Sequence, residues 1–458
     1  MRKIDAIVIG SGQGGVPLAK KLAKSGLQTA IIEKRWIGGT CINDGCTPTK
    51  TMIADARTAY VVKNSYNHGI DVRSFSVDLQ KIIARKNKVV QMFRDGSQKG
   101  LEKTANLEVI FGEAQFTGDK TITITKKDGS TEVLRADKIF INTGAKPSVP
   151  KISGLDAIPF YNSTTLLDID KIPSHLIIVG ASYIALEFGQ LFRRLGSEVS
   201  ILEKGDRFLS KEDEDISKAV KEMLEAEGIH IHMQAEAKSV SQSAPEKIQM
   251  ELSTGTTLQG SHVLIASGRV PQTDRLQADK SGIALDERGY IKVNEKLETN
   301  VPGVYALGDV KPGPAFTHVS YNDYIILVNN LLKGRQQTTT DRPLLYCMFT
   351  DPELGRVGLN EQQAREKGIL FKVATLPMTR VARGIETGQT IGLMKAIINP
   401  DTLEILGASI LGASGGEIMT ILQMAMAGGI KADQVREMMF AHPLFAESLN
   451  NLFMTILE

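Results

Sequence analysis

Only three cysteines occur in 458 residues, and that scarcity excludes the disulfide framework of a secreted protein, which needs many more. Charge of one sign is missing too: 54 Lys+Arg stand against 52 Asp+Glu, a formal net charge of +2. Without a basic excess, neither nucleic acid nor an anionic membrane is an expected partner. No long hydrophobic run occurs near the start, where MRKIDAIVIGSGQGG holds an apolar stretch of only about six residues before glycines intervene. That is too short for a signal core or a membrane span, so a cytoplasmic protein is expected. Low-complexity segments are also absent, and the length exceeds one ordinary core, which predicts about two to four domains.

What is present is an ordinary globular composition carrying one motif twice. IDAIVIGSGQGGVPLAKKLAKSGLQTAIIEK reads as strand, glycine turn, helix, strand. Ile4, Ala6, Ile7, Val8 and Ile9 suit a buried parallel strand. Gly10, Gly12 and Gly15 give the G-x-G-x-x-G spacing, with Gly14 as an extra glycine. They allow a tight turn, close approach of backbone to a pyrophosphate, and helix N–H groups aimed at it. Glu33, 23 positions after Gly10, is placed to accept hydrogen bonds from a ribose. The second copy, His175 to Lys204, repeats this order, with Glu203 23 positions after Gly180. Ser182 and Ala185 stand there where glycines would be expected, and both are small enough for the turn.

Two such units predict two bound dinucleotides, a flavin and a nicotinamide nucleotide, between which electrons can pass. Glu203 would bond a 2′-OH and repel a 2′-phosphate, which favours NADH. Lys204 and Arg207 just beyond it keep NADPH as the alternative.

GGTCINDGCTPTK, Gly38 to Lys50, places Cys41 and Cys46 five positions apart directly after the first unit. A structural disulfide, half of a metal site and a redox pair compete for it. TPTKTMIADARTAY reads as a helix with Thr47 as its cap and Pro48 in its first turn. A thiol at such an N-terminus, with Lys50 nearby, is acidified. Further Cys or His ligands at short spacing are lacking, the nearest histidine being His68, so no metal site is expected. A redox-active pair is the preferred reading. Cys347, in PLLYCMFT, reads as a small core residue, and KEDEDISKAVKEMLEAEG as a solvated helix start. KAIINPDTLEILGASILG alternates like antiparallel strands around Asn399-Pro400-Asp401. GGEIMTILQMAMAGG reads as an apolar helix whose Met419, Met424 and Met426 pack against core or a dimer partner.

These motifs, with INTGAKP (Ile141–Pro147), ASYIALE, ASGRVPQT, VYALGDV and AHPLFAE, resemble the pyridine nucleotide-disulfide oxidoreductases, which include lipoamide dehydrogenase, glutathione reductase and mercuric reductase. The resemblance covers the whole chain. It is closest to the mercuric-reductase-like branch, which includes a bacterial metal-ion reductase of reactive-chlorine resistance. It implies an α/β fold with two Rossmann-like dinucleotide-binding domains and an α+β C-terminal dimerisation domain. The expected division is an FAD domain at 1–147 and 272–340, an NAD(P) domain at 148–271, and an interface domain at 341–458.

Site roles follow from the same resemblance. Cys46 would contact the flavin, Cys41 would face the substrate, and Lys50 would lie by flavin N5 and pair with Glu187. FAD would be held by Gly10, Gly12, Gly14, Gly15, Glu33, Lys34, Gly39, Thr40, Lys50, Ala114, Thr143, Gly144, Asp309 and Thr317. The nicotinamide nucleotide would use Gly180, Ser182, Tyr183, Ile184, Glu203, Lys204, Gly268 and Arg269, with Tyr183 as a gate over the flavin. His442 and Glu447 resemble an acid/base dyad whose histidine crosses a homodimer interface, while His318 is expected to be structural. Leu444 stands where the family has a small residue after His-Pro.

The implied activity is an FAD-dependent NAD(P)H oxidoreductase acting on a disulfide or a soft metal ion. Dihydrolipoamide dehydrogenase is the alternative, and a flavin-bound redox sensor is the alternative of another class. The residues end at NLFMTILE with no vicinal cysteine pair of the kind that delivers Hg(II) in true mercuric reductases, so efficient mercury detoxification is not expected.

Overall fold

The apolar run after the N-terminus becomes β1 (Arg2–Ile9), buried at Ala6–Ile9. It pairs in parallel with β2 (Thr29–Glu33) and β6 (Thr131–Ile141). With β3 (Leu107–Phe111), β4 (Glu113–Gly118) and β5 (Thr121–Thr125) the sheet runs β3-β2-β1-β6-β5-β4, and β17 (Val304–Ala306) joins β6 as its seventh strand. Strands apolar on both sides need cover on both faces. Ala6, Val8 and Ile31 pack in one cluster with Leu18 and Leu22 of helix α1 (Gly15–Lys24) and Ile326 of α7 (Thr317–Lys333). Ile7, Ile9 and Ile32 pack in another with Phe116, Ile122 and Leu276. Between β2 and β3 lie α2 (Gly39–Asn43), α3 (Cys46–Lys63) and α4 (Leu79–Glu102).

The second glycine unit builds a parallel sheet, β11-β10-β9-β15-β8, from β8 (Tyr161–Asn162), β9 (His175–Val179), β10 (Glu198–Leu202), β11 (Ile229–His232) and β15 (His262–Ile265). Helix α5 (Tyr183–Leu195) connects β9 to β10, and α6 (Glu214–Ala226) connects β10 to β11. A three-stranded antiparallel sheet, β12 (Ala237–Ala244), β13 (Lys247–Leu252) and β14 (Thr257–Gly260), shares a core with Ile177 and Val263. The chain enters and leaves this unit on a ribbon of β7 (Ala145–Pro147) paired with β16 (Arg269–Pro271).

The C-terminal part is an antiparallel sheet, β18-β19-β22-β21-β20, made of β18 (Leu345–Met348), β19 (Glu353–Gly358), β20 (Lys372–Pro377), β21 (Leu393–Ile398) and β22 (Ile405–Gly412). As the sequence predicts, β21 and β22 flank the Asn399 turn, whose side-chain Oδ1 accepts from the N–H groups of Asp401 and Thr402. Helices α8 (Glu361–Glu366), α9 (Ala382–Glu386), α10 (Gly415–Ala427), α11 (Ala432–Glu437) and α12 (Ser448–Leu457) complete it. In α10, Met419 is buried, Met426 half-buried and Met424 exposed. The whole is an α/β fold with two Rossmann-like units and a C-terminal dimerisation domain. This computed structural model describes residues 1–340 and 342–457, and none of their helices is long and apolar enough to cross a membrane.

The acidic run before α6 departs from its expected solvation. Glu212 is 2% exposed and Asp213 is buried, because the C-terminal sheet sends two buried cations to meet them. Arg356 of β19 pairs with Glu212 at 3.1 Å and donates to the Lys211 carbonyl and the Gln363 side chain. Lys395 of β21 pairs with Asp213, Asp215 and Glu361. Burial pushes the Glu212 carboxyl up to about 7 against the pull of Arg356.

Candidate active site

A cavity of about 1170 Å³ runs from the first glycine turn to the C-terminal sheet. At its N-terminal end the backbone leaves no room for side chains. Gly10 has φ of 99°, and a Cβ there would lie 2.3 Å from the Asn142 carbonyl oxygen; one on Gly15 would lie 2.2 Å from the Gly10 oxygen. Asn142 ties the turn together, its Oδ1 accepting from Gly15 N–H and its Nδ2 donating to the Leu307 carbonyl. Glu33 accepts from the Ser11 backbone and hydroxyl through Oε2 and from Arg35 N–H through Oε1. Gly10, Gly12, Glu33, Lys34, Gly39, Thr40, Ala114, Thr143, Gly144, Asp309 and Thr317 all line the cavity, whereas Gly14 and Gly15 lie behind the turn.

These residues fit an FAD. The glycine cradle approaches as a pyrophosphate requires, and the buried Thr143 Oγ1, which has no protein partner, lies at the cavity wall. Trp36, the one tryptophan, lies at the same wall with the Arg94 guanidinium 4.2 Å from its ring centroid.

Both thiols line the cavity. Helix α3 is capped two residues earlier than predicted: Gly45 occupies the cap position and Cys46 is the first helical residue, so Thr47 lies inside the helix. The Cys46 sulfur is 3.3 Å from the Thr317 hydroxyl, and Thr317 begins α7. The Cys41 thiol donates to Cys46, and with Thr317 and the Lys50 ammonium it pulls Cys46 down to about 6 despite burial. Cys41 is pushed up by the same bond and by burial. Lys50, four residues along the helix, is 2.7 Å from Glu187 of α5, which is only 3% exposed. Glu187 also accepts from Phe349 N–H at 2.9 Å, and the Lys50 ammonium lies 4.8 Å from the Phe349 ring centroid.

An aromatic wall lines the same cavity, and of its rings Phe316 and Tyr346 were not singled out from sequence. Phe316 contacts Tyr183, His318 and Tyr346 at centroid distances of 5.6, 5.3 and 5.6 Å. His318 bonds the Leu345 carbonyl and also lines the cavity. Burial pushes the Tyr183 phenol up to about 12. Cys347 departs from its predicted core position: it is half-buried and lines this same cavity. Burial and Glu353 raise its thiol well above the usual range. Asp309 also lines the cavity, with its carboxyl raised by burial against Arg269 and Lys311. The turn carrying it is fixed from behind by fully buried Asp323, which accepts from Gly308 N–H and pairs with Lys311 and Arg342.

Of the second nucleotide set, Tyr183, Ile184 and Arg269 reach the cavity, while Gly180, Ser182, Glu203, Lys204 and Gly268 lie outside it. Ser182 occupies the N-cap position of α5 without a side-chain bond to the helix, and Glu203 Oε1 accepts from Gly205 N–H. His442 Nδ1 is 3.0 Å from Glu447, but this dyad is not among the residues lining its own chain's cavity, and the histidine side chain is 73% exposed.

Comparison with known proteins is consistent across the chain. Residues 4–323 match the family described as pyridine nucleotide-disulphide oxidoreductase, and 345–453 match that family's dimerisation domain. The probable pyridine nucleotide-disulfide oxidoreductase RclA of Escherichia coli is 38% identical, with 99% of each chain covered. Mercuric reductase of Lysinibacillus sphaericus is 32% identical over 97% of this chain and 81% of its own. Mitochondrial dihydrolipoyl dehydrogenase of Pisum sativum is 32% identical over 98% and 91%. Among solved structures, the Cu(II) complex of the HOCl-induced flavoprotein disulfide reductase RclA from Escherichia coli superimposes with a TM-score of 0.92 at 37% identity, with both chains covered completely.

Proposed function

The chain belongs to the pyridine nucleotide-disulphide oxidoreductases, and from that premise we propose that it uses NADH, through FAD, to reduce the Cys41–Cys46 disulfide and then an external disulfide or soft metal ion. The observation that carries this reading is the environment of Cys46: first residue of a helix, 3.3 Å from a hydroxyl and beside a lysine ammonium. When bound, FAD supplies the two-electron exchange between nicotinamide and thiol.

The chain's own residues do the rest. Gly10 and Gly12 admit the pyrophosphate, Gly15 lets α1 close onto the turn behind them, and Glu33 meets the adenosine ribose. Lys50, held by Glu187, places a fixed positive charge beside the reacting centre. Tyr183 and Phe316 cover the nicotinamide side and exclude water until the nucleotide enters. With a disulfide acceptor, Cys41 gives its proton to His442, attacks one sulfur as the thiolate and releases a thiolate. Cys46 then attacks Cys41, the second acceptor thiolate leaves, and the Cys41–Cys46 bond re-forms. His442, oriented by Glu447, protonates the leaving thiolate across the interface of a homodimer, a state that the dimerisation-domain match supports. The proposed setting is cytoplasmic, in keeping with the scarcity of cysteine.

Likeness to the RclA copper complex and to mercuric reductase supports Cu(II) or Hg(II) as acceptors, since paired thiolates suit soft ions. Dihydrolipoyl dehydrogenase, running the opposite way, is the second reading, supported by the relative from Pisum sativum. Steady-state oxidation of NADH and NADPH is to be measured against lipoamide, glutathione disulfide, bacillithiol disulfide, Hg(II) and Cu(II). Turnover with at least one acceptor and lower KM for NADH are expected; a single stoichiometric reduction with every acceptor would leave a redox sensor instead.

A further inference from the structure

Glu187 is the first of three residues spaced along one face of α5 that grip the same loop. Positions 187, 190 and 194 fall at i, i+3 and i+7, which a helix presents side by side. Glu187 Oε1 accepts from Phe349 N–H at 2.9 Å. Gln190 accepts from Asp351 N–H at 2.8 Å and donates to the Asp351 carbonyl at 2.9 Å. Arg194 donates to the Asp351 carboxylate at 2.7 Å and to its carbonyl at 3.1 Å.

Arg194 also reaches two further elements. It forms a two-pronged pair with Glu227, just beyond α6, at 2.7 and 2.9 Å. Its guanidinium lies 4.0 Å from the ring centroid of Tyr60, and Tyr60 belongs to α3, the helix that carries Cys46 and Lys50. The side chain is 4% exposed, so these contacts are made out of water, where each is worth more than at a surface. One end of the α3–α5–loop sandwich is therefore closed by Lys50, Glu187 and Phe349, and the other by Arg194, Tyr60 and Asp351.

We propose that Arg194, Gln190 and Asp351 form a positioning latch that fixes the register of residues 349–351 on α5, and thereby holds Phe349 and the Lys50–Glu187 pair in place beside Cys46. None of the three latch residues supplies an atom to the reaction. Slippage of the loop removes the Phe349 N–H from a buried carboxylate that has the Lys50 ammonium as its other partner. Glu187 then holds Lys50 less firmly, and the positive charge beside Cys46 is no longer fixed.

The latch rests on the reading of Cys46 as the flavin-facing thiol, and the test separates the two. The reduced holoprotein is titrated with acid anaerobically while the long-wavelength thiolate-to-flavin absorption is followed. Hydrogen exchange of the peptide spanning 345–352 is read in parallel. Asp351→Ala and Gln190→Leu both leave the Arg194–Glu227 pair in place, although Gln190 also donates to Glu227 at 2.9 Å, and are expected to speed exchange at Phe349. They are also expected to move the titration to higher pH, by about tenfold in proton concentration, with Arg194→Lys intermediate. Lys86→Met removes another buried lysine, one bonded to the Leu167 carbonyl, and should lower stability without moving the titration. A normal wild-type band whose titration is unchanged in both loop variants overturns the latch. A wild-type protein with no such band overturns the flavin-facing role of Cys46 and removes the latch's purpose with it.

Discussion

Two thiols five positions apart are driven in opposite directions by one hydrogen bond. Cys46 accepts it and gains Thr317 and Lys50, so its thiolate is favoured; Cys41 donates it and stays protonated. Near neutral pH the pair carries one negative charge, on the helix-terminal sulfur. Cys46→Ser should retain FAD, lose the long-wavelength absorption of the two-electron-reduced enzyme, and cut acceptor turnover by about 10³-fold. Cys41→Ser should keep the band, and a visible spectrum after one equivalent of NADH distinguishes the two. The sequence made this pair legible, with Lys50, because the signal is local: glycine, thiol, thiol and lysine within thirteen residues. Asn142, Phe316 and Cys347 were not legible as site residues because the cavity joins segments hundreds of positions apart. For Cys347 the misleading cue was the apolar stretch around it. That stretch becomes an edge strand, β18, which is only partly covered.

Among the elements, the two glycine turns were the clearest in sequence, since strand, turn, helix and terminal acid fall within thirty-odd positions each. Their physical requirement is now specific. Gly15→Ala would place a Cβ 2.2 Å from the Gly10 carbonyl oxygen, and backbone cannot yield there as a flexible side chain would. A cost on the order of 2 kcal/mol corresponds to about 30-fold weaker FAD retention. Flavin release followed by fluorescence in graded denaturant would register it, and wild-type retention would show that the turn relaxes. The cap of α3 was misread by two residues. Sequence preference pointed to Thr47 as the cap, but the chain turns at Gly45, which brings Cys46 itself into the helix terminus.

At the scale of the whole molecule, the nicotinamide-side unit is fastened to the C-terminal sheet by charges that a linear reading assigns to solvent. Glu212, Asp213, Asp215 and Glu361 are met by Arg356, Lys395 and Arg365, four carboxylates against three cations, so the cluster has an excess of negative charge. Nothing within KEDEDISK could reveal this, because all three cations lie more than 140 positions away. Glu212 is raised in the folded state, so folding binds a proton there that the unfolded chain releases above its ordinary carboxylate range. Its contribution to stability is therefore greatest in acid and declines as pH rises toward about 7. Urea melts should show Glu212→Gln gaining on wild type between pH 5 and pH 8, on the order of 1 kcal/mol. A constant difference across that range would place the titration elsewhere.

The single indole of Trp36 sits at the wall of the cavity proposed for the flavin. Its near-ultraviolet emission overlaps the absorption of an isoalloxazine, so occupancy of the cavity becomes visible as light lost from one known residue. The protein thus carries a built-in optical gauge of its own loading, readable without substrate, label or turnover.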